Sequence, residues 1–210
     1  MNFIDPDVAA YLRRLCDRAD EPVLLEMEAL GERRGFPIVG RVVGATLELL
    51  ARSVRARRVF EMGSGFGFSA YWFARAVGTT GEVILTDTDA SNAATAEEFL
   101  ARAGLWDRCR FVVGDALGAL SAAEGDFDVV YNDVDKESYP AAWELARSRV
   151  APGGLYLCDN VLWSGRVARD DRSPATVAIR AHNEAVYADP DFAASIVPTR
   201  DGVMVALRLR

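Results

Sequence analysis

Arg58-Val59-Phe60-Glu61-Met62-Gly63-Ser64-Gly65-Phe66-Gly67-Phe68-Ser69 is the stretch on which the fold turns. A short apolar run closes on Glu61-Met62, breaks into glycines at alternate positions, and gives way to apolar residues at helical spacing over about residues 67–78. Strand, tight turn and helix in that order make the opening unit of a parallel α/β sheet.

The same alternation continues downstream. Strands are expected at Arg58–Met62, Val83–Thr86, Arg110–Val113, Phe127–Asn132 and Gly154–Cys158, with helices between them at about 67–78, 91–103, 116–122 and 139–149. Strands separated by helices imply βαβ units with right-handed crossovers and helices on both faces. A helix over 173–188 precedes two more apolar runs, Ala193–Pro198 and Val203–Leu209, which flank Asp201-Gly202. Asp-Gly between apolar runs predicts an antiparallel hairpin at one sheet edge. The expectation is a Rossmann-like, seven-stranded, mostly parallel sheet. Upstream, residues 6–18, 22–34 and 38–54 read as helices broken by Pro22 and by Gly35-Phe36-Pro37. Residues 1–210 are read as one domain, with 1–55 as N-terminal helices and 56–210 as the core.

Bulk properties narrow the function. A net charge of −7 disfavours a nonspecific nucleic-acid or anionic-membrane binder. No apolar run is long enough to span a bilayer, and Asn2-Phe3-Ile4-Asp5-Pro6 lacks a secretory pattern. Cys16, Cys109 and Cys158 are odd in number and far apart, which fits core thiols in a reducing cytoplasm. With His182 as the one histidine, a Cys/His zinc site is disfavoured.

Ligands of such sheets sit at the carboxyl ends of the strands. The Gly63, Gly65, Gly67 spacing lacks the third glycine position of the Gly-x-Gly-x-x-Gly dinucleotide fingerprint. A pyrophosphate would sit poorly beside Glu61, whereas a sulfonium and an amino group suit it; S-adenosylmethionine carries both. Asp87 ends the second strand and suits ribose hydroxyls, while Asp89 reads as a helix N-cap. Asp115 and Ala116 follow the third strand, where carboxylate or backbone amides can reach an adenine edge. Asp133 ends the fourth strand and Asp159-Asn160 the fifth. Two carboxylates and one amide oxygen form a hard site suited to Mg²⁺, with Ca²⁺ or Mn²⁺ as alternatives. Lysine occurs once among 24 basic side chains, at Lys136. Unlike arginine, lysine can lose its proton beside another cation, so Lys136 is a candidate general base.

Together the segments Glu61–Ser69, Asp133-Val134-Asp135-Lys136-Glu137-Ser138-Tyr139 and Asp159-Asn160-Val161-Leu162-Trp163-Ser164-Gly165 resemble the cation-dependent O-methyltransferases, which include catechol and caffeoyl-CoA O-methyltransferases. The resemblance runs from about Phe36 to the C-terminus. It implies S-adenosylmethionine contacts at Val39, Glu61, Gly63, Ser64, Ser69, Asp87 and Ala116, with Asp115 and Asp133 at the same rim. It implies metal ligation by Asp133, Asp159 and Asn160, and a catalytic Lys136. Phe36, Tyr139, Trp163 and Arg166 flank the expected site as acceptor contacts. The expected acceptor is a small phenol with vicinal hydroxyls, and the expected assembly a homodimer; methylation of a hydroxylated uridine in tRNA is the alternative. Two residues depart from the family pattern. Asn132 replaces an apolar strand residue, which predicts a wetter strand end, and Trp72 replaces a smaller residue, which predicts a reshaped pocket.

Overall fold

The computed structural model describes residues 5–16 and 21–210. Residues 17 and 18, the end of the first expected helix, lie outside them. Helix α1 (Pro6–Leu15) starts where Asp5 Oδ1 accepts from Asp7 N at 2.8 Å, with Pro6 at the first helical position. Helix α2 (Pro22–Arg34) stops at Gly35, whose φ of 59° is the left-handed C-cap conformation. Helix α3 (Gly40–Ser53) leads into β1 (Arg58–Met62).

From there the chain alternates as expected. It runs through α4 (Phe68–Ala76), β2 (Glu82–Asp87), α5 (Ala90–Arg102), β3 (Cys109–Val113), α6 (Ala116–Ala122), β4 (Phe127–Asn132), α7 (Tyr139–Ala146), β5 (Val150–Cys158) and α8 (Pro174–Ala188), then β6 (Phe192–Val197) and β7 (Val203–Arg208). The sheet order is β3-β2-β1-β4-β5-β7-β6. Strands β1 to β5 pair in parallel, and β7 inserts antiparallel between β5 and β6. Strand order reverses between β1 and β4, so the ligand crevice of this topology opens at Met62 and Asn132.

The inner strands are apolar on both sides because both sides are covered. Val59, Leu85, Tyr131 and Leu157 join a core with Leu47 and Phe73. The alternate positions Phe60, Ile84, Val130 and Tyr156 join a second core with Trp143 and Ile179. Strand β5 begins four residues earlier than expected. Ala151-Pro152-Gly153-Gly154 reads as a turn, yet it is carried as an irregularity in the pairing with β4.

The two departing residues behave differently from expectation. Asn132 is fully buried, not wetter. Its Nδ2 donates to Tyr156 Oη at 3.0 Å, which lies 2.9 Å from His182 Nε2. His182 Nδ1 meets Asn183 Oδ1 at 3.0 Å, and Asn183 Nδ2 donates to the Val161 carbonyl at 2.9 Å. One directional chain satisfies every member: with Asn183 donating onward, His182 carries its proton on Nδ1 and accepts from Tyr156 at Nε2. Burial pushes the His182 pKa down to about 4, so the ring is neutral at physiological pH. Trp72, for its part, does not line the cavity at the β1/β4 crevice. It is buried between α4 and α3, and a Cβ placed on Gly44 would lie 2.1 Å from its Nε1.

Gly44→Ala is therefore an overpacking substitution against a rigid, buried indole. It is expected to cost about 1–3 kcal/mol, read as a lowered midpoint in thermal or urea unfolding. An unchanged midpoint would show that the two helices separate freely.

Candidate active site

A cavity of about 670 Å³ opens at the β1/β4 crevice. Its floor is knitted from backbone. Gly63 takes φ +83°, and a Cβ there would lie 2.5 Å from the Asp133 carbonyl oxygen. Only glycine permits both the conformation and the approach. Asp133 N donates to the Met62 carbonyl at 2.9 Å, and Ser64 N to the Thr86 carbonyl at 2.7 Å. The ends of β1, β2 and β4 are thereby locked together.

On the glycine-loop side, Val39, Gly63, Ser64, Ser69, Asp87, Asp115 and Ala116 all line the cavity. Asp87 is held in place before any ligand arrives. Its Oδ2 accepts from Gly65 N at 3.1 Å, and its Oδ1 from Asp89 N at 2.8 Å and from Asn92 Nδ2 at 3.2 Å. Asp89 caps α5 by accepting from Ser91 N at 2.8 Å, as expected. Asp115 caps α6 through Gly118 N at 2.6 Å, which leaves the backbone near Ala116 as the freer polar edge. Glu61, expected as a cofactor contact, is not among the residues that line the cavity. It is fully buried, and neither carboxyl oxygen has a hydrogen-bond partner of normal geometry. Burial pushes its pKa up to about 7, opposed by the neighbouring Ser69 and Ser64 hydroxyls.

On the opposite side, Asp133, Lys136, Asp159 and Asn160 converge on the same cavity. Lys136 Nζ donates to Asp133 Oδ1 at 2.9 Å and to the Val134 carbonyl at 3.4 Å, 5.0 Å from the Tyr139 ring centroid. Its side chain is 16% exposed, so the amine belongs to the site and not to bulk solvent. Asp159 is buried, and its Oδ1 has no partner. Burial first, and then the charge of Asp133, push the Asp159 pKa up to about 7. Burial also raises Asp133, against the pull of Lys136. We place the stronger effect on Asp159, because 26% of the Asp133 side chain remains open, against 1% of Asp159. Asn160 holds φ 58°, and Trp163 and Ser164 hold 47° and 51°. Three left-handed non-glycine residues in one loop mark it as held against its local preference.

This donor set fits a hard divalent cation. Among the described residues no three His, Cys, Asp or Glu side chains cluster as a metal site. The set is two carboxylates and an amide oxygen. An unpartnered buried carboxylate oxygen beside a second carboxylate is the environment that a cation relieves.

The expected acceptor contacts divide. Phe36 and Trp163 line the cavity. Tyr139 does not: it is buried in the second core, where its hydroxyl donates to the Asp159 carbonyl at 2.8 Å. Arg166 does not either, because Asp171 pairs with it and its guanidinium sits 5.8 Å from the Trp163 ring centroid. Arg200, which sequence reasoning passed over, does line the cavity; its Nη1 lies 3.5 Å from Asp159 Oδ2. Only its place in the β6–β7 turn, beside the Asp-Gly signal, pointed to that rim. A second cavity of about 740 Å³ adjoins the first, walled by α1 to α3 and sharing Phe36, Val39 and Arg200 with it.

The O-methyltransferase family profile matches residues 23–209. A catechol O-methyltransferase of Mycobacterium tuberculosis is 34% identical over 197 residues, spanning 92% of this chain and 89% of that protein. A catechol O-methyltransferase of Niastella koreensis is 30% identical, spanning 98% of both chains. The crystal structure of an O-methyltransferase from Bacillus cereus in complex with SAH superposes with a TM-score of 0.87 at 27% identity, covering 96% of this chain and 97% of that one.

Glu61 makes stability depend on pH in the absence of ligands. Its folded pKa of about 7 lies above the ordinary 4.5, so the folded state binds more protons between those values. Its contribution is full below about 4.5 and is lost as pH rises through about 7. Glu61→Gln should therefore be more stable than the parent at pH 8, by on the order of 3 kcal/mol, and nearly equal to it at pH 4. Thermal melts of the ligand-free proteins across that range check this; parallel curves would refute it.

Proposed function

The chain belongs to the O-methyltransferase family and is an S-adenosylmethionine-dependent enzyme of the catechol/caffeoyl-CoA type; within it, we propose that this protein methylates one hydroxyl of a small vicinal-dihydroxy phenol in a reaction that depends on a divalent cation. The observation that carries the reading is the meeting of Asp133, Lys136, Asp159 and Asn160 on one cavity, opposite the glycine loop.

In this reading Asp133, Asp159 and Asn160 hold the cation, with Mg²⁺ preferred for an all-oxygen set. Such a cation supplies Lewis acidity that lowers the pKa of an acceptor hydroxyl. Lys136, steered by Asp133, takes the hydroxyl proton on its Nζ. Tyr139 and the strained Asn160–Ser164 loop keep Asp159 from turning away. Val39, Gly63, Ser64, Ser69, Asp87 and Ala116 hold S-adenosylmethionine, the methyl source, with Asp87 already fixed for two ribose hydroxyls. The buried charge of Glu61 behind the loop favours the donor's cationic end. Phe36 and Trp163 offer aromatic faces for the acceptor ring. Catalysis then consists chiefly of holding two reactants in line and neutralising charge between them.

Homodimerisation belongs to the same proposal. Helix α1 buries none of its residues and leaves Val8, Tyr11 and Leu15 about half exposed, a face that a second copy can cover. Nothing favours the tRNA alternative on a chain of net charge −7. No helix among the described residues is long and apolar enough to cross a membrane.

The deciding assay incubates catechol, caffeate and flavonoid acceptors with labelled donor, with and without Mg²⁺. Transfer to vicinal diols alone, abolished by excess chelator and restored by Mg²⁺, is the expected outcome. Transfer that survives chelation removes the cation from the reaction. Lys136→Ala should lower kcat by about 10²- to 10⁴-fold while donor affinity, measured by calorimetry, stays close to the parent's. Full turnover in that variant would exclude Lys136 as the base.

A further inference from the structure

Arg200 occupies a place that its own backbone disfavours. It sits in the turn between β6 and β7 with φ 49°, the left-handed region where glycine, asparagine or aspartate is at ease and a long side chain is not. Strain retained at the rim of a site points to a use for the side chain. The turn is also fastened to the loop that bears Asp159 and Asn160. Leu162 N donates to the Asp201 carbonyl at 2.9 Å and Val161 N to the Gly202 carbonyl at 3.1 Å, and Ser164 N donates to Asp201 Oδ1. Arg200 is thus held in register with the proposed cation ligands.

Its surroundings give the guanidinium two faces. One meets Asp159 Oδ2 at 3.5 Å. The other is open, since 43% of the side chain is exposed where the two cavities join. Arg41, buried in the wall of the second cavity, is already held by both oxygens of Glu28 at 2.7 and 2.9 Å. Were Asp159 committed to a cation, the Arg200 guanidinium would lose its present anion and remain where the two cavities join. A planar fork of donors there matches a carboxylate.

We propose that Arg200 is a specificity-determining residue that selects acceptors bearing a carboxylate on the same small molecule as the vicinal diol. This rests on the vicinal-diol reading above. It narrows the substrate class to dihydroxyaryl carboxylic acids over neutral catechols.

The test compares 3,4-dihydroxybenzoate with its neutral amide, 3,4-dihydroxybenzamide. Each is titrated calorimetrically into the parent protein, Arg200→Gly and Arg200→Gln, all loaded with Mg²⁺ and S-adenosylhomocysteine. The parent is expected to bind the acid about ten-fold or more tightly than the amide, as charge-assisted pairing predicts. Both variants should bring that ratio close to one; glycine also relieves the turn, and glutamine keeps the side-chain length if glycine impairs folding. Equal affinities in the parent, or a preference for the acid that survives both variants, would overturn the assignment. A parent that methylates catechol yet shows no preference refutes Arg200 alone. A parent that binds neither ligand and methylates no diol refutes the vicinal-diol reading, and the role of Arg200 with it.

Discussion

The site depends on one backbone-to-backbone approach, Gly63 against Asp133. The carbonyl of Asp133 occupies space that any side chain at position 63 would need, and Asp133 N is bonded to the carbonyl just before that glycine. This contact spans the point where strand order reverses. It sets the glycine loop after β1 and the acidic loop after β4 at a fixed separation. In the proposed reaction these two loops hold the two reactants, so this spacing decides whether they meet. Thr86 reinforces it: its hydroxyl donates to the Glu61 carbonyl at 2.8 Å and accepts from Gly63 N at 3.2 Å.

Around this joint the chain keeps three poorly compensated carboxylates. Glu61, Asp133 and Asp159 are all shifted upward by burial. A stability-optimised core would replace them with apolar residues of similar volume. Their retention fits the proposed function, in which cationic partners arrive from outside, a sulfonium on one side and a metal ion on the other. The basic side chains of Lys136 and Arg200 stand at 2.9 and 3.5 Å from Asp133 and Asp159 and temper these carboxylates without cancelling them.

What the sequence disclosed follows physical range. The five parallel strands and most helices were readable because period and glycine placement are local signals. The glycine loop and the two acidic strand ends were readable because topology alone brings strand termini to one rim. Tyr139 and Arg166 lie near the motifs in sequence, but helix direction sends Tyr139 into the core and Asp171 draws Arg166 aside. Asn132 looked like a wet strand end because its partner Tyr156, and His182 bonded beyond it, are 24 and 50 positions away in the chain. Arg200 was invisible for the same reason: its relation to Asp159 exists only once β7 has slotted beside β5. The Asp-Gly signal located the hairpin, although Arg200 and Asp201 occupy the turn itself, closed by Gly202 N donating to the Thr199 carbonyl at 2.8 Å.

Phe36 closes the second cavity and the first at once. Its ring lies where a Cβ on Gly65 would be, 2.7 Å away, and meets Phe66 edge-to-face at 5.3 Å. The connector between α2 and α3 is therefore a wall shared by the two cavities. In the proposed reading, a change at residue 36 would alter the acceptor's surroundings and the glycine loop together, since neighbouring effects of this kind do not add independently. The α1 and α2 faces of the second cavity, by contrast, can change while the glycine loop stays untouched.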